Sequence, residues 1–257
     1  METVGVNVTH DASFCRCVNG EIDMFLEEER LSRKKHDNMP VKTVMELQES
    51  NFAGVTGLEY HDYSLRDTCN FFDVIFRKKI PDHDYRTYNQ HHYLHACCGF
   101  YNSGFEEADV VVVDGLGNFF DEEHHECATR WHIKKPAEIK LLERQGASRF
   151  GTKTDRHGYW PMGVGMAYAS ISDYLGFGQL GSGKVMGLAP YGKEDPNIKP
   201  FVIDGRVNSK LFYRTKYSAN FIPYDYLPEE VNIKDQRFMN LAYRLQKDFE
   251  KWMTDFI

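Results

Sequence analysis

The chain has 257 residues, of which 42% are apolar and 27% charged, a balance typical of a globular protein long enough to bury a core. Its formal net charge of −7 makes nucleic acid an unfavoured partner, because duplex binding needs a basic face that displaces counterions. No apolar run approaches the roughly 20 residues that span a bilayer, which excludes a membrane-spanning helix.

The N-terminus carries neither a basic start nor an apolar signal core, so we expect no secretory leader. In a leaderless chain, cysteines are expected to be reduced thiols, which favours a cytoplasmic location. The six cysteines are Cys15, Cys17, Cys69, Cys97, Cys98 and Cys127.

Three strands and a short helix are predicted at the N-terminus. The strand-like runs are residues 3–8, 13–18 and 21–27. The Asn19-Gly20 pair between the second and third runs is the strongest local signal for a hairpin. Pro40 favours the start of a helix that runs to about Leu47. Residues 60–88 show no clear period.

The rest of the chain predicts alternating helices and strands, and hence an α/β fold with a mixed sheet. A helix is expected at 90–103, a buried strand at 108–113, two strands at 127–133 and 139–143, and a helix at 162–175. Residues 176–192 read as a glycine-rich loop and 196–233 as irregular. Residues 233–257 form an amphipathic helix with one apolar stripe.

A histidine cluster within the predicted helix 90–103 is a candidate metal site. His91 and His95 are four residues apart and share one helix face, whereas His92 points elsewhere. Two imidazoles need a further ligand, and Asp114, at the end of the next strand, can supply a carboxylate. An isolated pair of this spacing also occurs as surface decoration or core packing, so both interpretations stay open.

Other polar stretches favour structural roles. Cys97 and Cys98 are adjacent, which suits poorly the joint chelation of one ion, and we expect them to pack the helix against the sheet. His124 and His125 lie in the acidic run DEEHHE, which favours a solvated surface turn.

The glycine-rich loop contains two imperfect nucleotide motifs. GFGQLG at 176–181 matches a dinucleotide motif, and GQLGSGK at 178–184 matches part of a P-loop. Neither follows a predicted strand, and Val185 replaces the hydroxyl residue of the P-loop, so both are rejected. Lys184 and the backbone N–H groups could still hold an anion or a ligand carbonyl. The alternative is an irregular loop packed by apolar side chains.

Four stretches, in this order, resemble the O-carbamoyltransferase family, which includes the nodulation-factor, aminoglycoside and cephem carbamoyltransferases. They are THDAS at 9–13, EEERLSRKKH at 27–36, HHYLHACCGFYNSGF with DGLGN at 91–105 and 114–118, and GKVMGLAPYGK at 183–193. The resemblance implies a ribonuclease-H-like lobe of the actin/Hsp70 (ASKHA) superfamily. It places the chain in the branch that also contains the tRNA threonylcarbamoyl transferase.

The resemblance also implies the reaction and its residues. Family members transfer a carbamoyl group from carbamoyl-adenylate, made from ATP and carbamoyl phosphate, to a hydroxyl of a sugar-like or other small-molecule acceptor. Carried onto this chain, the metal ligands are His91, His95 and Asp114, and the metal is iron, with zinc or manganese as alternatives. His10 and Lys35 match the active-site residues. Contacts with substrate or nucleotide are expected at Asp11, Gly115, Gly117, Lys184, Gly187 and Tyr191.

The chain departs from the family in length. Residues 1–175 match a first lobe with an insertion at about 118–160, and 176–257 lead toward a second lobe that the family carries and that we expect to be missing here. A lone domain would leave the apolar stripe of the last helix exposed. The chain is therefore expected to be a fragment, one part of a split enzyme that needs a second polypeptide, or a shortened metal-binding relative. A protein similar to the tRNA threonylcarbamoyl transferase is a further alternative.

Overall fold

A computed structural model of the chain describes residues 2–7, 11–38, 40–46, 54–56, 91–148, 158–214 and 219–257. The chain divides into two compact units, Met1–Leu94 and His95–Ile257. Because the division falls within the helix His91–Ser103, that helix is described with the second unit. The predicted boundary at 175/176 lies inside the second unit. The assignment of ribonuclease-H-like lobes stays a prediction.

In the part of the first unit that the structure describes, a mixed sheet is flanked by two short helices. Its elements are β1 (Glu2–Asn7), β2 (Ser13–Val18), β3 (Glu21–Glu27), α1 (Glu28–Ser32), α2 (Val41–Met45) and β4 (Gly54–Thr56). The strand order is β3-β2-β1-β4, with β4 parallel to β1 and the other pairs antiparallel. Asn19 and Gly20 have φ of 55° and 90°, as a tight hairpin turn requires, so the predicted hairpin is confirmed.

A glutamate of helix α1 caps the N-terminus of helix α2. Glu28 is 2% exposed, and its carboxylate accepts hydrogen bonds from the backbone N–H groups of Lys42 and Thr43, at 3.1 and 2.8 Å. The hydroxyl of Thr43 donates to the same carboxylate at 3.0 Å. These bonds satisfy N–H groups that the first turn of a helix leaves unpaired, and they explain how the charge is buried.

The second unit opens with helix α3 (His91–Ser103) and a three-stranded antiparallel sheet. Its strands are β5 (Glu107–Val113), β6 (His124–Lys134) and β7 (Glu138–Ser148), in the order β5-β6-β7. Val112 is the one buried residue of β5, and the other six are half-buried or exposed, so the prediction of a fully buried strand is wrong. The segment predicted as an insertion supplies the other two strands of this sheet: β6 pairs with β5, and β7 pairs with β6.

The prediction of a solvated turn at His124 and His125 is wrong. Both residues lie in β6, and His125 is buried, with its ring 3.6 Å from that of Phe119 and its Nδ1 2.8 Å from the carbonyl of Gly117. The acidic residues around the pair indicated exposure, whereas strand pairing and the Phe119 ring bury His125.

The predicted glycine-rich loop is largely helical. Helix α4 (Val164–Tyr174) is followed by a 3₁₀ turn (Gln179–Gly181), α5 (Ser182–Leu188) and a second 3₁₀ turn (Ala189–Tyr191). Val185 and Ala189 are 0% and 3% exposed. Tertiary packing of this short apolar face stabilises a helix that the glycine content disfavours.

The region predicted as irregular contains four short strands among its described residues, 196–214 and 219–233. They are β8 (Val202–Ile203), β9 (Arg206–Val207), β10 (Phe212–Arg214) and β11 (Ala219–Phe221), paired as two antiparallel ladders. Phe201, Phe212 and Phe221 pack against one another with ring centroids 5.9 to 6.3 Å apart. These rings form part of the core of the second unit.

The last helix, α6 (Gln236–Phe256), completes this core. Its buried apolar residues are Phe238, Leu241, Ala242, Leu245, Phe249, Trp252 and Phe256. The expectation that a lone domain leaves this stripe exposed is therefore wrong: the stripe is covered by α4, the 3₁₀ turn at 189–191 and the segment 198–227. No helix within the described ranges is long and apolar enough to cross a membrane.

Candidate functional site

Helix α3 and the end of β5 bring the three predicted metal ligands together. His91, His95 and Asp114 each offer one ligand atom, and these atoms lie within 4.8 Å of one another. His95 is exposed, whereas His91 and Asp114 are half-buried. The spacing of four residues places both imidazoles on one helix face, and the following strand ends beside them. Metal binding by this trio stays a prediction.

The turn after β5 fixes the position of Asp114. The backbone N–H of Asp114 donates to the carbonyl of Cys127 at 3.0 Å, which extends the ladder between β5 and β6. The backbone N–H of Gly115 donates to Asp114 Oδ1 at 2.6 Å and so orients the carboxylate. A Cβ atom on Gly165 of α4 would lie 2.5 Å from the carbonyl oxygen of Asp114, so the close approach of α4 requires glycine.

The chemistry of this trio fits a divalent transition metal. Two imidazoles and one carboxylate suit iron, zinc and manganese alike. Protein ligands bind such ions at about 2.0–2.2 Å, and the three ligand atoms lie within 4.8 Å of one another, close to the separation that a shared ion requires. The hydrogen bond from Gly115 is the kind of contact that orients a ligating carboxylate.

The buried face of α3 differs from the predicted one. Ala96 and Phe100 are buried, as is His92, which is 0% exposed. Cys97 is half-buried and Cys98 is exposed, so the prediction that both thiols pack the helix against the sheet is wrong for Cys98. At this spacing Ala96 and Phe100 share a face, and Cys98 lies on the far side of the helix.

A second cluster of ligand-type side chains lies in the first unit. Asp11, Glu29 and His36 have potential ligand atoms within 4.8 Å of one another. His36 Nδ1 donates to Asp11 Oδ1 at 2.7 Å, and the backbone N–H of His36 donates to Glu29 Oε2 at 3.2 Å. Asp11 was predicted to contact substrate or nucleotide. Here its carboxylate takes part in a network inside the protein.

The two predicted active-site residues differ in what can be said of them. His10 lies outside the described residues. Lys35 is exposed and lies in the turn between Lys34 and His36. An exposed ammonium is compatible with a role toward a ligand and equally with simple solvation.

The glycines after β5 are used by the protein itself. The backbone N–H of Gly117 donates to the carbonyl of Glu126 at 2.7 Å, and its carbonyl accepts from His125. The backbone N–H of Gly115 is bonded to Asp114. Neither amide hydrogen points to an open phosphate site in this arrangement.

The remaining predicted contacts lie on α5 and the 3₁₀ turn after it. Lys184, Gly187 and Tyr191 are all exposed, and Tyr191 is 70% exposed. Lys184 Nζ lies 5.7 Å from the centre of the Phe177 ring. A Cβ on Gly187 would meet nothing within 4 Å, so this glycine leaves open space on the helix surface.

A cavity of ≈ 410 Å³ opens elsewhere in the second unit. Its lining includes Tyr159, Trp160, Trp252 and Arg206, and it contains none of the predicted site residues. The guanidinium of Arg206 and the ammonium of Lys210 lie 5.4 and 4.4 Å from the centre of the Tyr159 ring. The aromatic surface is thus already covered in part by cations of the same chain.

Glu29 and His36 are candidate functional residues that the sequence prediction did not single out. Both lie in the stretch EEERLSRKKH, where only Lys35 was selected. The acid at one end and the histidine at the other were the available signal. Their proximity to Asp11, which lies 18 and 25 residues away in the sequence, is visible only in the structure.

Comparison with known proteins identifies one family. A family model described as the carbamoyltransferase N-terminus matches residues 61–242, which is more than half of the chain. The match includes His91, His95 and Asp114 and excludes His10 and Lys35. It rests in part on residues outside the described ranges.

The chain is also similar to two nodulation proteins and to one uncharacterized protein. The nodulation protein NolNO of Sinorhizobium fredii is 24% identical over 216 residues, covering 73% of this chain and 28% of the relative. The uncharacterized protein sll1178 of Synechocystis is 25% identical over 243 residues, covering 78% and 36%. The nodulation protein NolO of Bradyrhizobium diazoefficiens is 33% identical over 107 residues, covering 41% and 16%. The chain thus spans 36% or less of each relative.

Proposed function

This chain belongs to the carbamoyltransferase family, whose N-terminal part it represents, and from that premise we propose that it transfers a carbamoyl group from carbamoyl-adenylate to a hydroxyl of a sugar-like or other small-molecule acceptor. The observation that carries the proposal is the convergence of His91, His95 and Asp114 within 4.8 Å, inside the range that the family matches.

The proposed step exchanges one bond for another at the carbamoyl carbon. The acceptor oxygen bonds to that carbon, and the bond from the carbon to the adenylate phosphate oxygen breaks. The adenylate leaves with the electron pair, and the hydroxyl proton passes to a base, for which we propose His10. The ammonium of Lys35 is proposed to stabilise the negative charge that develops on the carbamoyl oxygen.

His91, His95 and Asp114 are proposed to hold a divalent metal, iron first and zinc or manganese as alternatives. Such an ion supplies a Lewis acid at the site when bound. The protein contributes two imidazoles on one helix face, and a carboxylate oriented by the Gly115 N–H.

For the nucleotide, the exposed surface formed by Lys184, Gly187 and Tyr191 supports a binding role better than the glycines after β5. The three residues are spaced by three and four positions along α5 and the turn after it, which favours one common face. Gly115 and Gly117 have their backbone N–H groups bonded within the protein. ATP and carbamoyl phosphate are the proposed upstream reagents.

The greater length of the relatives supports a further domain that takes part in the reaction. We propose that a second lobe, on this or another polypeptide, completes the site for the donor.

The proposed location of the protein is the cytoplasm.

Elemental analysis of the purified chain tests the metal centre. We expect about one equivalent of iron, zinc or manganese in the wild type. Mutation of a residue that only hydrogen-bonds to a metal ligand lowers metal affinity about 10–100-fold. His95→Ala removes a ligand itself and should therefore lower the affinity at least about 100-fold. The matched control is His132→Ala, since His132 is an imidazole on the surface of β6, paired with Asp109 at 2.8 Å.

A transfer assay tests the reaction itself. The chain, alone and with its second lobe, is incubated with ATP, carbamoyl phosphate and a panel of sugar-like alcohols. Mass spectrometry should detect acceptors in which a carbamoyl group replaces a hydroxyl hydrogen, with the wild type and His132→Ala but not with His95→Ala. Equal product from His95→Ala would contradict the proposed metal role, and no product with the completed wild type would contradict the transfer.

A further inference from the structure

Two hydrogen bonds join the segment after His10 to the segment after Lys35. One is the hydrogen bond from His36 Nδ1 to Asp11 Oδ1, at 2.7 Å. The other runs through the backbone, from the N–H of Ala12 to the carbonyl of Asp37, at 2.9 Å. Asp11 follows His10 by one peptide bond, and His36 follows Lys35 in the same way. The paired residues are thus direct sequence neighbours of the two candidate active-site residues.

Helix α1 is hydrogen-bonded to both segments, so the contacts form a closed ring of hydrogen bonds. The backbone N–H of Glu28 donates to the carbonyl of Ala12 at 2.8 Å. The next residue, Glu29, accepts the backbone N–H of His36 at 3.2 Å. One helix therefore contacts both segments, so a change in Glu29 would be transmitted to the position of His36.

The backbone at both ends of the side-chain bond adopts an uncommon conformation. Asp11 and His36 have φ of 62° and 55°, in the left-handed region that residues with a Cβ rarely occupy. Such conformations persist where surrounding contacts determine them, and they cluster at functional sites. The ring of hydrogen bonds supplies those contacts.

The side-chain pair itself contributes little to stability. The side chains of His36 and Asp11 are 35% and 43% exposed, and solvent screens ion pairs at such positions. Its main effect is geometric, because it sets the orientation of one segment against the other.

We propose that His36 and Glu29 are positioning residues for carbamoyl transfer, which hold the turn that follows His10 and the turn that contains Lys35 in one register. This inference rests on the proposed function. Neither residue has to touch the substrate for this role. Their loss should therefore lower kcat through misplacement of the reacting groups and leave KM little changed.

Two pairs of variants test the proposal in the transfer assay. His36→Ala removes the ring nitrogen and should lower kcat about 10- to 100-fold. His36→Asn keeps an N–H donor near the position of Nδ1 and tolerates positive φ, so it should recover most of the loss. Glu29→Ala should reproduce the defect, and Glu29→Gln, which keeps an acceptor oxygen, should be milder. Because both residues act in one network, the double alanine variant should lose little more than either single variant.

The matched control is again His132→Ala, whose imidazole–carboxylate pair has nearly the same length, 2.8 Å, on a different surface. It should keep the wild-type kcat. Thermal unfolding of each variant separates misplacement from loss of fold, and the recovery by His36→Asn must occur at unchanged folded fraction.

Three results would overturn the inference. An active wild type with an equally active His36→Ala variant sinks the positioning role alone. An inactive wild type, assayed with its second lobe, sinks the proposed function and this role with it. Two equivalents of metal in the wild type, one of which is lost in His36→Ala, would make Asp11, Glu29 and His36 a second metal site instead.

Discussion

At the scale of single residues, Gly165 sets how closely α4 approaches the candidate ligand Asp114. An added Cβ would lie 2.5 Å from the Asp114 carbonyl oxygen and 2.7 Å from the nitrogen of Gly115. Both are backbone atoms, which cannot move aside as a flexible side chain can. The glycine is therefore required by packing.

We expect Gly165→Ala to destabilise the protein by about 1–3 kcal/mol, the usual cost of overpacking, and to weaken metal binding by displacing Asp114. Urea unfolding and elemental analysis measure the two effects. Gly183→Ala in α5 is the control, because its Cβ would meet nothing within 4 Å and alanine favours a helix by up to about 1 kcal/mol. A Gly165→Ala variant as stable as the wild type would contradict the packing.

A second residue-scale prediction concerns alkaline pH. Burial raises the pKa of Tyr168 from 10.0 to about 12, and the charge of Glu250 adds to the shift. Between these pH values the unfolded chain loses the phenolic proton and the folded chain keeps it. The contribution of Tyr168 to the free energy of unfolding is therefore fully present below pH 10 and falls as the pH rises toward 12.

Tyr168→Phe should flatten this part of the stability curve, since phenylalanine has no proton to lose. Urea unfolding at a series of alkaline pH values, compared between the variant and the wild type, gives the slope. Burial also raises the pKa of Tyr226 to about 12, so some slope should remain. An identical slope in both proteins would exclude Tyr168 as a contributor.

At the scale of elements, α6 shows how a helix that looks unpartnered in sequence is covered within its own unit. Its apolar residues recur at helical spacing and predict one buried face. The sequence pattern does not say what covers that face. The structure covers it with α4 and with the 3₁₀ turn at 189–191, where a Cβ on Gly192 would lie 2.2 Å from the carbonyl oxygen of Met239.

Leu245→Ala tests this packing. Leu245 is 0% exposed, and removal of such a side chain costs about 2–5 kcal/mol through lost burial and the cavity left behind. Lys251→Ala on the exposed face of α6 is the control and should change stability by about 0.5 kcal/mol or less. Urea unfolding of the two variants decides the point, because equal small effects would mean that the face is exposed.

At the scale of the whole molecule, residues 91–257 contain the main core cluster and all three candidate ligands. All members of the main core cluster lie between Val111 and Phe256. His91, His95 and Asp114 lie on α3 and at the end of β5, which belong to the same segment.

A polypeptide of residues 91–257 should therefore fold cooperatively and bind metal as the full chain does. Circular dichroism during urea unfolding measures the first property, and elemental analysis the second. The same polypeptide with His95→Ala should fold equally well but retain little metal. A non-cooperative transition in the shorter polypeptide would show that this core depends on residues 1–90.

Local patterns were enough for several features. The Asn19-Gly20 turn and the strands on either side of it follow from turn chemistry, which involves only neighbouring residues. The shared face of His91 and His95 follows from the helical period, and the strand-end position of Asp114 from the apolar run before it. The family resemblance, too, rests on short stretches whose order the sequence itself displays, and the family match agrees with it.

Contacts between distant residues decided the rest. Whether the glycine-rich segment becomes helix α5 depends on burial of Val185, and whether His125 is buried depends on the ring of Phe119 and the carbonyl of Gly117. The bond between Asp11 and His36 joins positions 25 residues apart. A sequence determines the local conformational preferences of its residues directly, but such contacts form only once the chain has paid the entropy of closing the loops between them, so only the tertiary structure shows which partners meet.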